Sequence, residues 1–140
     1  MGTIHKFSGD WNKIFNWEGT RTRTYQVDGV SQVSETWLIG KKEGAQNFAM
    51  RYYQLEPGGS SRKEQHPYDH GILILQGRGE VLIDQDISSF ERGDIIYIPP
   101  DALHQLSNTG TDLMGFICVI PARREKGGKI VWAEEGIKFD

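Results

Sequence analysis

Cysteine is almost missing from this chain. One thiol, Cys118, stands in 140 residues, so an internal disulfide is excluded, and a closed structural zinc site built on thiolates has no ligands. Long apolar runs are missing too, and none approaches the length that crosses a bilayer. The first residues, Met1-Gly2-Thr3-Ile4-His5-Lys6, lead into polar and aromatic positions rather than a secretory apolar stretch. Lys6 stands where a myristoylation signal needs Ser or Thr. A formal charge of −3 and a pI near 5.8 give no general reason to expect nucleic acid. There is no heptad and no internal repeat. The expectation is one soluble, cytoplasmic domain with no membrane or nucleic-acid partner.

Glycine, by contrast, is plentiful. The 17 glycines mostly separate short apolar runs, which is the punctuation of a sandwich or barrel. Strands are expected over Val30–Ile39, Asn47–Leu55, Ile72–Leu75, Gly79–Ile83, Ile87–Phe90, Ile95–Ile98 and Asp112–Pro121, with Ile130–Trp132 returning to pack on the barrel. Asp84 and Asp86 read as a hairpin turn, since an EF-hand would need its own Gly and a distal Glu. Arg123 to Lys129 reads as a solvated charged loop. Residues 1–30 form an N-terminal arm, with Trp11, Ile14, Phe15 and Trp17 on one face of a short helix or of an irregular segment. That arm is expected to pack on its own barrel or on a dimer partner, and residues 31–140 to form the single barrel domain.

The polar residues fall in two clusters. The first runs Gly58-Gly-Ser-Ser-Arg-Lys-Glu64-Gln-His66-Pro-Tyr-Asp-His70, and the second runs Gly93-Asp94-Ile-Ile-Tyr-Ile-Pro99-Pro100-Asp101-Ala-Leu-His104-Gln-Leu-Ser-Asn108. Together they hold three of the four histidines. On a strand, Glu64 and His66 would share a face. His70 opens an apolar strand, and the Pro-Pro-Asp turn places His104 at the head of another. Imidazoles beside a carboxylate suit manganese, iron, nickel or zinc.

The two clusters also resemble the paired motifs of the cupins. Gly58 takes the first glycine place of the first motif, Glu64 and His66 the places of its His-x-His pair, His70 the place of its glutamate, and Gly77 the closing glycine. In the second motif Gly93, Pro99, His104 and Asn108 fall in register, with Asp101 replacing a glycine. The carboxylate has therefore moved, because Glu64 stands where a histidine is usual and His70 where a glutamate is usual. A histidine at that place also resembles a small single-domain subgroup that binds manganese.

The resemblance implies an all-β fold, the cupin double-stranded β-helix or jelly-roll barrel, with an irregular N-terminal arm and a homodimeric state. It implies a divalent metal on His66, His70, His104 and Glu64, with manganese or iron expected first and nickel or zinc as alternatives. On the strand Asn47–Leu55 neither face is purely polar, so parity alone does not say which faces inward. The resemblance to small cupins favours Arg51 inside the pocket, where a cation would hold an acidic or carbonyl substrate. Tyr53, Tyr97 and Glu64 are the groups considered for proton transfer. Phe116 and Cys118 share a face and are expected in the apolar wall. The leading expectation is a metal-dependent enzyme cleaving a small carbonyl, enol or acid substrate with dioxygen. Isomerase or lyase chemistry, or a non-catalytic metallocupin that binds a small ligand, are the alternatives.

Overall fold

A computed structural model of the chain describes residues 2–29 and 31–140. Val30, expected to open a strand, lies outside the described residues. Among them the regular elements are strands and one 3-10 turn, Lys41–Glu43. The strands are β1 (Arg21–Val27), β2 (Ser31–Ile39), β3 (Phe48–Leu55), β4 (His70–Gln76), β5 (Arg78–Ile83), β6 (Asp86–Glu91), β7 (Ile95–Ile98), β8 (His104–Asn108), β9 (Met114–Pro121), β10 (Arg123–Lys126) and β11 (Lys129–Trp132). A six-stranded sheet in the order β1-β2-β3-β9-β4-β7 packs against a three-stranded sheet, β6-β5-β8, and β10 pairs with β11. This is a jelly-roll barrel.

Register on the large sheet decides what faces inward. Arg51 of β3 lies opposite Trp37 of β2 and Cys118 of β9, and Cys118 lies opposite Ile72 of β4. The next inward row runs Glu35, Tyr53, Phe116, Ile74. Because side chains alternate along a strand, the pairing of Arg51 with Cys118 fixes the parity that the β3 sequence leaves open. Leu106 of β8 and Val81 and Phe90 of β5 and β6 close the same core from the other sheet.

The opposite face of the large sheet carries Tyr52, Leu38 and Ile117, and the arm covers it. Residues 2–20 form no helix. They fold back on themselves through bridges Phe7↔Trp17 and Asp10↔Ile14. Phe15 stacks on Tyr52 at 5.6 Å, and Trp17 meets the same ring edge-on at 5.4 Å. Burying side chains of this size contributes about 1.5–3 kcal/mol each, which holds Phe15, Trp17 and Phe7 on the barrel, whereas Trp11 stays exposed and stacks on Phe7.

Two expectations change. Residues 1–30 are not irregular throughout, because Arg21–Val27 already forms the edge strand β1, in register with β2. The charged segment Arg123 to Lys129 is a β-hairpin rather than a loop. Its turn is Gly127-Gly128 with φ of 60° and 80°, the left-handed pair that a two-residue hairpin requires.

Candidate metal centre

Three histidines converge from two sheets and a loop. His70 is the first residue of β4 and His104 the first of β8, as their places before apolar strands imply, while His66 sits on the connection between β3 and β4. That connection is not a regular strand. It touches the barrel through single bridges, Ser60↔Ser107 and Glu64↔His104, so the shared strand face expected for Glu64 and His66 does not form. A hydrogen bond of 2.8 Å from the Asp101 amide to the His66 carbonyl ties this loop to the turn before His104. Asp101 holds φ at 65°, the left-handed conformation that explains a glycine at this motif place; aspartate tolerates it better than most side chains do.

One nitrogen from each imidazole lies within 4.8 Å of the other two. The ring orientations are braced from behind. His66 Nδ1 lies 2.9 Å from the Tyr68 carbonyl and His104 Nδ1 lies 2.8 Å from the Ala102 carbonyl. A carbonyl only accepts, so both Nδ1 atoms carry the proton and both Nε2 atoms present lone pairs. The His66 ring also stacks on Tyr68 at 3.8 Å, and Arg124 holds the Tyr68 hydroxyl at 3.0 Å.

His70 completes the set with an adaptable partner. Its Nε2 lies 2.8 Å from His66 Nε2, and its Nδ1 lies 3.0 Å from Cys118 Sγ. Without a cation, the lone pair on His66 requires His70 Nε2 to donate, and the Cys118 thiol then donates to Nδ1. As a metal ligand His70 needs its proton on Nδ1, and Cys118 sulfur can accept there. Two nitrogens bound to one ion at about 2.1 Å and a right angle would be about 3 Å apart, close to the spacing present. Three imidazoles able to turn a ring nitrogen towards one point, two of them with Nδ1 held by a carbonyl, are a donor set for a first-row divalent metal, so these residues fit one. Burial lowers the His66 pKa, with His104 adding to the effect, and burial followed by Arg51 and the other two histidines lowers that of His70 to about 3. Both are therefore ready to ligate without first losing a charge-bearing proton.

The other predicted residues divide. Arg51, Tyr53, Phe116 and Cys118 line one pocket together with His70, His104 and Glu64. Arg51 donates through Nη1 to the Tyr53 hydroxyl and through Nη2 to Cys118 Sγ at 3.3 Å. Its Nε is buried and has no hydrogen-bond partner among the described residues. Burial alone would lower the Arg51 pKa, but Tyr53, Cys118 and Glu35 more than offset that, so the guanidinium stays charged. Burial raises both the Tyr53 phenol, well above its usual range, and the Cys118 thiol, against the opposing pull of Arg51. Glu64 is exposed, and its carboxylate is not part of the three-nitrogen group, although its backbone pairs with His104 through bonds of 3.0 and 2.9 Å. Tyr97 points away from the pocket, exposed and bonded to Asp69 at 2.8 Å, which removes it as a proton-transfer group.

Sequence reasoning passed over three parts of the site. Tyr68, the brace for His66, sits between His66 and His70, where a stacking role shows only in three dimensions. Tyr25, Ser61 and Arg62 reach the pocket from β1 and from the β3–β4 connection, and no spacing rule links them. Glu35 is buried at 1 % exposure, held by Arg23 through bonds of 3.2 and 3.1 Å and by the Trp37 indole. Buried Glu35, paired with half-buried Arg23, lies opposite Tyr53 on the neighbouring strand.

A small single-domain jelly-roll barrel with a three-histidine group at one end of its interior defines a class, the metal-site barrels of the cupin type. The family model described as a cupin domain matches residues 51–120, half of the chain. The chain belongs to the cupin family. Among curated proteins it is similar to 1-methylthio-D-xylulose 5-phosphate methylsulfurylase of Rhodospirillum rubrum, 29% identical over 113 residues, which cover 80% of this chain and 72% of that protein. Among solved structures it is similar to a cupin 2 conserved barrel domain protein from Rhodopseudomonas palustris, with TM-score 0.75 and 27% identity over 89% of this chain and 83% of that one. A polyketide cyclase from Streptomyces resistomycificus shares the fold at TM-score 0.69 and 18% identity, covering 95% of this chain and 85% of that one.

Proposed function

We propose that this cupin is a metal-dependent enzyme acting on a small substrate through a carbonyl or enol oxygen, with His66, His70 and His104 holding the metal and Arg51 and Tyr53 handling the substrate. The observation that carries this reading is the convergence of three imidazoles, two of them lining a pocket whose wall holds a charged guanidinium with one buried N–H unpaired. A group placed only for packing would not leave that donor open, since an unmade buried hydrogen bond costs about 1–3 kcal/mol.

A divalent ion bound there would supply Lewis acidity, polarising an oxygen of the substrate. Manganese or iron is proposed first, with nickel or zinc as alternatives, and Glu64 as a fourth ligand that swings in from the exposed loop. The chain's own residues do the remaining work. Arg51 offers Nε to an oxygen of the substrate and, through Nη1, orients the Tyr53 phenol, which burial keeps neutral as a proton donor against the opposing pull of Arg51. Phe116, Ile72 and Leu106 supply apolar wall that keeps water from the reacting end. The named substrate of the methylsulfurylase relative is a phosphorylated xylulose derivative, a keto sugar, which supports a carbonyl-directed site. Oxygen-dependent cleavage of such a substrate would use the same binding mode and is separated from isomerase or lyase chemistry by oxygen uptake during turnover.

Elemental analysis of protein purified without added metal tests the reading, on wild type, His104→Ala and Glu64→Ala. Near-stoichiometric divalent metal that disappears in His104→Ala is the expected result, and reduced retention in Glu64→Ala would make the carboxylate a ligand. A wild type that takes up no metal even after reconstitution would overturn the proposal.

A further inference from the structure

The pocket has a second recognition point at its rim that the metal-centred reading does not use. Arg62, on the connection between β3 and β4, is exposed yet lines the pocket. Its guanidinium carbon lies 4.3 Å from the centre of the Tyr25 ring. Arg23 lies 4.8 Å from the same ring, but its charge is taken by Glu35. Arg62 has no ion pair or side-chain hydrogen bond among the described residues, not even with Glu64 two residues on. A long exposed arginine normally loses its rotamer freedom only where something orders it. Here the aromatic face does so, leaving the planar N–H edges free for a two-oxygen anion. Ser61 beside it also reaches the pocket. Leu106, Ile72 and Phe116 give the pocket an apolar part of its wall beside Arg51 and Tyr53.

We infer that Arg62, braced on Tyr25, is a specificity-determining residue that binds the terminal anion, phosphate or carboxylate, of a substrate whose other end carries the metal-directed oxygen. This rests on the proposed metal-dependent reading and narrows its substrate class to two-ended molecules with a chelating oxygen head, a short carbon body and a charged tail. With a metal held at the histidines and Arg62 at the rim, the pocket would discriminate by length as well as by charge. Removing Arg62 takes away tail recognition alone, because it touches none of the three imidazoles.

The test is calorimetric binding to metal-loaded wild type, Arg62→Gln and, as metal-deficient control, His104→Ala. Two probe pairs share a head and differ in the tail: dihydroxyacetone phosphate against hydroxyacetone, and 2-oxoglutarate against 2-oxobutanoate. In wild type the member with the charged tail in at least one pair is expected to bind about tenfold or more tightly than its partner, as a charge-assisted contact provides. Arg62→Gln should erase that preference and leave the probes without a charged tail unchanged; which pair responds separates phosphate from carboxylate. Equal binding of the charged-tail probes by Arg62→Gln and wild type, or no preference in wild type for either charged-tail probe, would overturn the inference. If the Arg62-dependent preference survives in His104→Ala, the anion site stands and the metal-directed head fails.

Discussion

Metal-free protein should lose stability steeply on mild acidification, and His70 should be the main cause. Its pKa is about 3 in the folded chain, against 6.5 for an ordinary imidazole. Between those values the unfolded chain binds a proton that the native state refuses, so stability falls as pH falls and recovers as pH rises past 6.5. At about pH 5 the unfolded imidazole is stabilised by about 2 kcal/mol relative to pH 8, and the folded one hardly at all. His66, also shifted down by burial, adds in the same direction. The assay is urea unfolding of chelator-treated protein at about pH 8 and pH 5, for wild type and His70→Gln. Wild type should lose about 2 kcal/mol more than the variant over that interval, an amount well outside extrapolation error for a small domain. Parallel losses in the two proteins would show that His70 titrates normally in the fold, and the account of its burial against Arg51 and its neighbouring histidines would be wrong.

Cys118→Val should weaken metal affinity about tenfold by removing the sulfur that accepts the His70 Nδ1 proton, whereas Cys118→Ser should recover most of it, as competition with a chromophoric chelator would read. Asn108→Ala should cost about 3 kcal/mol in a denaturant melt: its amide donates to the Leu55 and Asp112 carbonyls at 3.0 and 2.8 Å, and its oxygen accepts from the Gly110 amide at 3.0 Å. Gly115→Ala should cost about 1–3 kcal/mol, because a methyl there would overlap the Tyr52 ring and hydroxyl and dislodge it from Gln76 at 3.1 Å. Adding Tyr52→Phe should return part of that loss, and a strictly additive double variant would refute the contact.

The histidines were readable because the places of this candidate metal group are written in short-range order. His70 and His104 begin strands, and the turn that aims His104 is encoded in Pro99, Pro100 and Asp101, within a few residues of the ligand. Phe116 and Cys118 were readable as a pair because a strand places every second residue on one face. Arg51 was different. Both faces of β3 carry large side chains, since one meets the cavity and the other meets the arm, so alternation held no information. The answer lies in the partner strand, where Cys118 stands opposite Arg51. Glu64 shows the same limit in reverse. Its sequence place is a ligand place, yet the irregular connection with two separate bridges leaves its carboxylate outside the imidazole group.

The parts that distinguish this barrel from its fold were the least legible, and the physical reason is shared. Tyr25 comes from β1, Arg62 from a loop and Glu35 from β2, and each gains meaning only from a neighbour far away in sequence: Arg62 from the Tyr25 ring, Tyr53 from buried Glu35 opposite it, which Arg23 holds. Fold residues repeat a local pattern many times, so any one of them is redundant with the rest. A specificity residue such as Arg62 occurs once, on an exposed segment where composition would assign it to solvent. Cupin barrels host unrelated reactions on one framework, and in this chain the part free to vary is the ring of side chains around the pocket mouth. The substrate is therefore to be sought by testing that rim, with the head group held constant and the tail changed.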